Sequence, residues 1–269
     1  MRTSLFSIFA AAGLIGAGAA NAADIYTPPP PADPAPIAPP VLSWHGGYIG
    51  FHAGYTWGNV DVNTNYLPSP GAFGAVPFSS SLDMDGFLGG AQIGYNWQMD
   101  TFVFGVEVDV SYTGADGSNL VGPLLVGAAP GVPLAGSFQT LGAEMDWFGT
   151  ARLRAGVAVA PEVLLYATGG LAWGRIEYDS FTAFAPPGPS PFNYVGSHST
   201  TRVGWTVGGG IEWAASPDWS VKLEYLYYDL GSSSHVAFPQ LPNAPFAVTQ
   251  SYDVDGHIVR AGVNYRFSW

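Results

Sequence analysis

Cysteine is absent from the 269 residues. The chain therefore closes no disulfide, and its stability has to come from backbone ladders and packing. Charge is scarce too: Asp, Glu, Lys and Arg make up 10% of the sequence, against about 25% in an ordinary soluble domain. A mostly charged surface cannot be built from so few residues. Eight basic residues face 20 acidic ones, a formal net charge of −12, which excludes the basic footprint a nucleic-acid binder needs. Nor is there a run of 18 consecutive apolar residues long enough for a helical membrane span. Phosphate loops, zinc spacings and dinucleotide fingerprints are missing as well, so no cofactor is expected.

What remains is rich in glycine (36 residues) and aromatics (14%). Arg2, an apolar stretch from Leu5 to Ala19, and Ala20-Asn21-Ala22 together read as a secretory signal peptide over residues 1–22. A leader over 23–43 follows, with a proline run from Thr27 to Pro40 that lacks amide donors and is expected to be extended and outside any sheet, in the periplasm. The third segment, 44–269, is where strand patterns begin.

Eight strand-like stretches are predicted, near 45–57, 86–98, 102–113, 145–158, 163–176, 201–214, 219–229 and 254–269. Three connections are very short, around Met99-Asp100-Thr101, Ala160-Pro161-Glu162 and Ser216-Pro217-Asp218. Four are long and rich in Pro, Gly, Ser and Asn: 58–85, 114–144, 177–200 and 230–253. Short turns at one end and long loops at the other are the layout of a bacterial outer-membrane barrel. The fold class expected is all-β, an eight-stranded antiparallel transmembrane β-barrel.

Alternation gives the orientation. Phe102, Phe104, Val106, Val108 and Val110 share one phase, opposite Gly105, Glu107, Asp109 and Ser111. Trp219, Val221, Leu223, Tyr225 and Tyr227 oppose Ser220, Lys222 and Glu224, and Val263, Tyr265, Phe267 and Trp269 oppose Gly262, Asn264, Arg266 and Ser268. Arg152, Arg154, Arg202, Lys222, Arg260 and Arg266 all fall on the polar phase. An Arg or Lys turned toward mid-bilayer costs about 2–4 kcal/mol, so a one-residue slip of register is strongly disfavoured. A soluble calyx would turn the bulky face inward, but eight strands leave an interior just wide enough for side chains to fill. Rows of Phe, Tyr and Trp do not fit there, whereas glycines and mid-sized polar residues do.

A lumenal charge network follows from the polar phase: Glu107, Asp109, Asp146, Glu212 and Glu224 with Arg152, Arg154, Arg202, Lys222, Arg260 and Arg266. It has two readings, an ion path or a mutually paired plug, and buried charges in a narrow lumen favour pairing. His52 has the inward phase and is expected to be a lumen hydrogen-bond partner. His198-Ser199 and Ser234-His235, with Glu177 and Asp253, offer the residue types of a hydrolase constellation. No nucleophile elbow accompanies them, and the chain is expected not to be an enzyme. Asp61, Asp83, Asp116, Glu144 and Asp179 are placed in loops, either solvated or bridging divalent cations to lipopolysaccharide. The apolar stretch 120–135 has three readings: a fold over the barrel mouth, a partner contact, or an extra hairpin that would spoil the count of eight.

Ser43-Trp44-His45-Gly46-Gly47-Tyr48-Ile49-Gly50, Leu165-Tyr166-Ala167-Thr168-Gly169-Gly170-Leu171-Ala172-Trp173-Gly174 and Arg260-Ala261-Gly262-Val263-Asn264-Tyr265-Arg266-Phe267 carry a family resemblance. They resemble the porin-like outer-membrane immunogenic proteins of rhizobial and related bacteria, within the OmpA-like eight-stranded barrels. The resemblance implies a surface-exposed envelope protein lodged among outer-membrane lipids and lipopolysaccharide. Tyr265, Phe267 and Trp269 resemble the signal read by the barrel-assembly machinery. The function expected is structural, supporting the envelope and presenting variable extracellular loops. The alternatives are a narrow diffusion pore along the lumenal charges, or the haem or host-ligand binding at the loops that the resemblance implies.

Overall fold

The computed structural model describes residues 42–67, 77–126, 132–133, 135–184, 193–239 and 247–267. The signal segment, nearly all of the leader and Trp269 lie outside the described residues. Ten strands follow one another: β1 (Gly46–Leu67), β2 (Phe78–Met99), β3 (Phe102–Val121), β4 (Leu125–Val126), β5 (Val132–Pro133), β6 (Phe138–Ala160), β7 (Val163–Ala183), β8 (Asn193–Ala214), β9 (Trp219–Pro239) and β10 (Ala247–Phe267). Eight of them close into a barrel in the order β1-β10-β9-β8-β7-β6-β3-β2, with antiparallel pairing between β1 and both its neighbours. No open edge is left around the ring, which is the condition for a sheet to stand in hydrocarbon.

The apolar stretch resolves one of its three readings: β4 and β5 pair as a separate two-stranded sheet outside the ring, so the barrel keeps its eight strands. At the short-turn end, Asp100 takes φ 54°, a left-handed conformation that Asp tolerates better than most residues and that a tight hairpin turn demands.

The barrel strands are longer than their alternation predicts, running from 20 residues in β3 to 23 in β6. About 9–11 residues suffice to cross a bilayer, so each strand continues well past the membrane. The continuations occupy much of what the sequence reads as loop. Asp61, Asp83, Asp116, Glu144 and Asp179 sit on strands rather than in loops, as do His198 and His235. The reason is visible in β1. Ile49, Phe51, Tyr55 and Trp57 face outward in its first half, followed on the same face by Asn59, Asp61, Asn63 and Asn65. On the other face Tyr48, His52 and Thr56 give way to Val60, Val62 and Tyr66. The parity is unbroken; the chemistry of the two faces is exchanged. In the outer half the apolar set lines the interior, where Val60, Val62, Leu82, Met84, Leu141, Met145, Phe148, Ile176, Tyr178, Tyr228, Tyr252 and Val254 belong to one buried cluster.

Candidate functional site

The inward faces of the membrane half build a dense polar layer. Glu107 and Arg152 are cross-strand partners on β3 and β6, and Glu224 and Arg260 are partners on β9 and β10. Alternation turns all four into the lumen, where they meet from opposite walls. Arg152 bridges three carboxylates: Glu107, Asp109 at 3.0 Å and Glu224 at 2.9 Å. Arg260 joins Asp109 at 2.9 Å and Glu224 at 2.6 Å. Lys222 Nζ donates to both oxygens of Glu107, at 2.9 and 2.8 Å. A second pair, Arg154 with Glu212, sits nearby, and Glu212 also accepts from Ser220 Oγ at 2.5 Å and Asn264 Nδ2 at 2.9 Å. Glu107, Asp109, Glu212 and Glu224 thus balance Arg152, Arg154, Lys222 and Arg260, and all eight are buried.

Neutral groups add further hydrogen bonds to the layer. Tyr48 donates to Glu107 at 2.7 Å and Tyr166 to Glu224 at 3.0 Å. Each ring needs room over its cross-strand partner on the neighbouring strand. A Cβ on Gly94 would lie 2.4 Å from the Tyr48 ring, and one on Gly210 would lie 2.7 Å from the Tyr166 hydroxyl. Glycine at those two positions is therefore a packing requirement. His52 is buried in the same layer, with Nδ1 3.1 Å from Gln92 Oε1 and Nε2 2.7 Å from Ser111 Oγ.

Three of the eleven residues assigned to the network lie elsewhere. Arg202 points inward but higher up, donating to the Tyr178 hydroxyl at 3.2 Å and the Tyr252 carbonyl at 3.0 Å. Arg266 lies at the short-turn rim, where it donates to the Ser216 and Pro217 carbonyls at 3.1 and 2.8 Å and stacks on Trp44. Asp146 is outside the barrel altogether. A β-bulge between Met145 and Trp147 makes it the extra residue of β6, so its side chain leaves the lumenal phase and pairs with half-exposed Arg175 at 3.3 Å.

Apolar layers lie above and below the charges. Above stands the interior cluster of the outer half, with Phe148 against Tyr228 at 4.9 Å and Tyr178 against Tyr252 at 4.3 Å. Tyr66, Leu124, Phe184, Tyr194, Ala237 and Val248 form a further cluster near the outer end. Below, Trp44 spans the short-turn mouth, packed with Val103, Leu164, Tyr166 and Ala214. Its backbone amide donates to Gln98 Oε1 at 2.7 Å and its indole to the Pro161 carbonyl at 3.2 Å. The sequence reading missed Trp44 as a cork, though Trp44 carries the same even parity as Tyr48 and His52. Among the described residues no group of three or more His, Cys, Asp or Glu could hold a metal ion.

The outer wall is apolar across the membrane half, with Phe51, Leu153 and Val203 each about two-thirds exposed or more. Tyr265 and Phe267 lie on that face, packed edge to face at 5.2 Å. A charged interior behind a greasy wall is the inside-out arrangement of a membrane barrel. The sequence model of the outer-membrane protein β-barrel domain matches residues 8–267. The chain belongs to that family.

Other members of this outer-membrane family are similar along nearly their whole length. The 31 kDa outer-membrane immunogenic protein of Brucella melitensis is 36% identical over 265 residues, covering 97% of this chain and 98% of that one. The 22 kDa outer membrane protein of Rhizobium leguminosarum bv. viciae is 30% identical, covering 97% and 95%. The 25 kDa outer-membrane immunogenic protein of Brucella abortus is 28% identical, covering 99% and 100%. The crystal structure of the outer membrane protein OprG from Pseudomonas aeruginosa superposes with a TM-score of 0.53 at 12% identity, over 85% of this chain and all of that one, which is agreement of fold. These immunogenic relatives are named for place and antigenicity rather than for a reaction. In this outer-membrane barrel His198 and His235 stack on each other at 5.6 Å, and neither ring is hydrogen-bonded to Ser199, Ser234, Glu177 or Asp253.

Proposed function

We propose that this outer-membrane barrel is a closed structural protein: it anchors a rigid acidic collar at the cell surface, presents the outer connections, and conducts nothing through its lumen. The observation that carries this reading is the balanced set of eight buried charges, four of each sign, spanning the lumen between two apolar layers. Moving an ion through that layer requires breaking buried pairs, and stripping one partner from a buried pair costs about 3–5 kcal/mol. The collar supports a surface role. Asp61, Asp83, Asp85, Asp116, Glu144, Glu177, Asp179, Asp229, Asp253 and Asp255 stand outward on strands above the membrane, with Arg175 the basic residue among them.

The same reading has residues 1–22 removed on export, the proline-rich leader in the periplasm, lipopolysaccharide around the wall, and the assembly machinery recognising the aromatic end of β10. Mature protein beginning at Ala23, read by N-terminal sequencing, is the expected product. Planar-bilayer recording tests the closed lumen. Pure protein is expected to insert without reproducible conductance steps, and uniform steps that survive repurification would overturn the reading in favour of a narrow pore.

A further inference from the structure

One wall of the barrel is held by a ladder over only part of its height. On β8 and β9, Tyr194 pairs with Pro239 and Val195 with Phe238, and pairing resumes at Trp205 with Asp229. Residues 196–204 and 230–237 have no ladder partner across this seam, the longest interruption inside any ladder of the described residues. On their other sides β8 stays paired to β7, and β9 to β10 except at a bulge of Leu230 and Gly231. The seam lies just above Trp205 and Tyr227, whose rings pack at 5.4 Å in the aromatic belt, so it stands at the height of the outer-leaflet headgroups. Behind it is the apolar upper lumen, with Ile176, Tyr178, Leu230 and Val254.

Side chains close the seam instead of backbone. The His198 ring of β8 stacks on the His235 ring of β9, with centroids 5.6 Å apart and planes 20° apart. His235 stacks in turn on Tyr252 of β10 at 5.2 Å and 10°. Arg202 reaches across to the Gly231 carbonyl.

The groups facing this stack decide how it responds to protons. From β7 come Tyr178 and Ser180, from β8 Arg202, and from β10 Gln250 and Tyr252. All are neutral except Arg202. At this height the carboxylates on these elements, Glu177 and Asp179 on β7, Asp229 on β9 and Asp253 and Asp255 on β10, alternate to the outer face, as does Arg175. His235 Nε2 is buried without a hydrogen-bond partner.

We propose that the β8–β9 seam is a pH-operated side opening, in which protonation of His198 and His235 drives the two segments apart and uncovers the apolar upper lumen toward the outer leaflet. Two imidazolium rings in stacking contact repel, and among the described residues the only other charge inside the barrel at that height is the cation Arg202. No inward carboxylate is there to absorb the added charge. Burial and the neighbouring His198 ring lower the proton affinity of His235, which favours its neutral form in the closed seam. The sign follows: a histidine held neutral in the fold contributes stability that is lost as pH falls below the ordinary imidazole range.

The chain has no cysteine of its own, so spin labels at Ser197→Cys and Ser234→Cys, both exposed beside the seam, report the gap directly. The labelled full-length protein in lipid vesicles is measured by pulsed dipolar spectroscopy at about pH 7.5 and about pH 5, on either side of the imidazole range. One narrow distance at neutral pH and a longer or broader distribution at acid pH are expected. H198Q/H235Q is expected to keep the neutral distance at both. An unchanged native distribution, or an acid response that persists in the double variant, overturns the proposal. H198Q alone, which leaves the His235–Tyr252 stack in place, must respond more weakly than the native chain, and an undiminished response overturns it equally. The charged layer lies below the seam, so failure here leaves the closed-lumen reading standing.

Discussion

The lower and upper halves of this barrel obey opposite rules on one continuous set of strands. In the membrane half the wall is Ile49, Phe51, Leu153 and Val221 and the interior is Glu107, Arg152, Glu224 and Arg260. In the outer half the wall is Asn, Asp and Ser while the interior is Val, Leu, Met, Phe and Tyr. β1 keeps its phase through the crossover, so that only the residue types change places there, whereas β6 and β9 pass it with a bulge. The halves teach that a barrel's inside is defined by its solvent. Hydrocarbon forces polar groups inward until they satisfy one another, and water forces apolar groups inward until they pack.

The comparison breaks most sharply at the charged layer. Arg152→Leu strips Glu107, Asp109 and Glu224 of their shared partner and is expected to cost about 3–5 kcal/mol, read as a shift of the urea midpoint followed by tryptophan fluorescence in detergent micelles. A loss under about 1 kcal/mol would mean that the layer is hydrated rather than mutually paired. Next in size is a cation placed on the two walls. Leu153→Arg faces lipid and is expected to lose about 2–4 kcal/mol in a bilayer, with poor insertion. Asn63→Arg, on the outer collar, should leave stability unchanged. Equal losses at both sites would erase the distinction between the halves.

Smaller effects belong to the collar itself. Asp61 directly faces Asp253, and Asp85, Asp116, Glu144 and Glu177 face one another in succession around the ring. Like charges opposed across strands destabilise by about 0.2–1 kcal/mol, so Asp61→Asn should raise the thermal midpoint slightly at low salt and hardly at all at high salt. The smallest signal comes from Asp255. Burial, with Asp229 and Asp61 nearby, raises its proton affinity above that of an ordinary aspartate. The folded chain then holds the proton more readily than the unfolded one, and the native protein gains stability as pH falls. Asp255→Asn is expected to be the more stable form at neutral pH, with its advantage shrinking toward pH 5, as paired melting curves would register.

The membrane half was legible in the sequence because two constraints act on every residue. Phe102 to Val110 must alternate with Gly105 to Ser111, and no cation can face lipid, so phase and register are fixed together. The outer half obeys the same alternation with weaker letters. Ser, Asn and Asp on the wall read as loop, and Val60, Leu82 or Met145 among them are too sparse to announce a strand. That is why β1 was expected to stop near Trp57 and instead runs to Leu67. Asp146 was misplaced for another reason. The bulge beside it inserts one residue and reverses the parity, and neither Met145 nor Trp147 marks such an insertion in advance. Arg202 and Arg266 have the inward phase that alternation gives them, but their height in the barrel, and so their partners, depends on strand stagger that no single strand encodes.

Lys222, the only lysine in the chain, is 1% exposed at the heart of the lumen. A reagent that tags amines on intact bacteria would find no lysine side chain of this protein to react with while the barrel is folded. Surface inventories built on such tagging would pass over it, however many copies the cell displays.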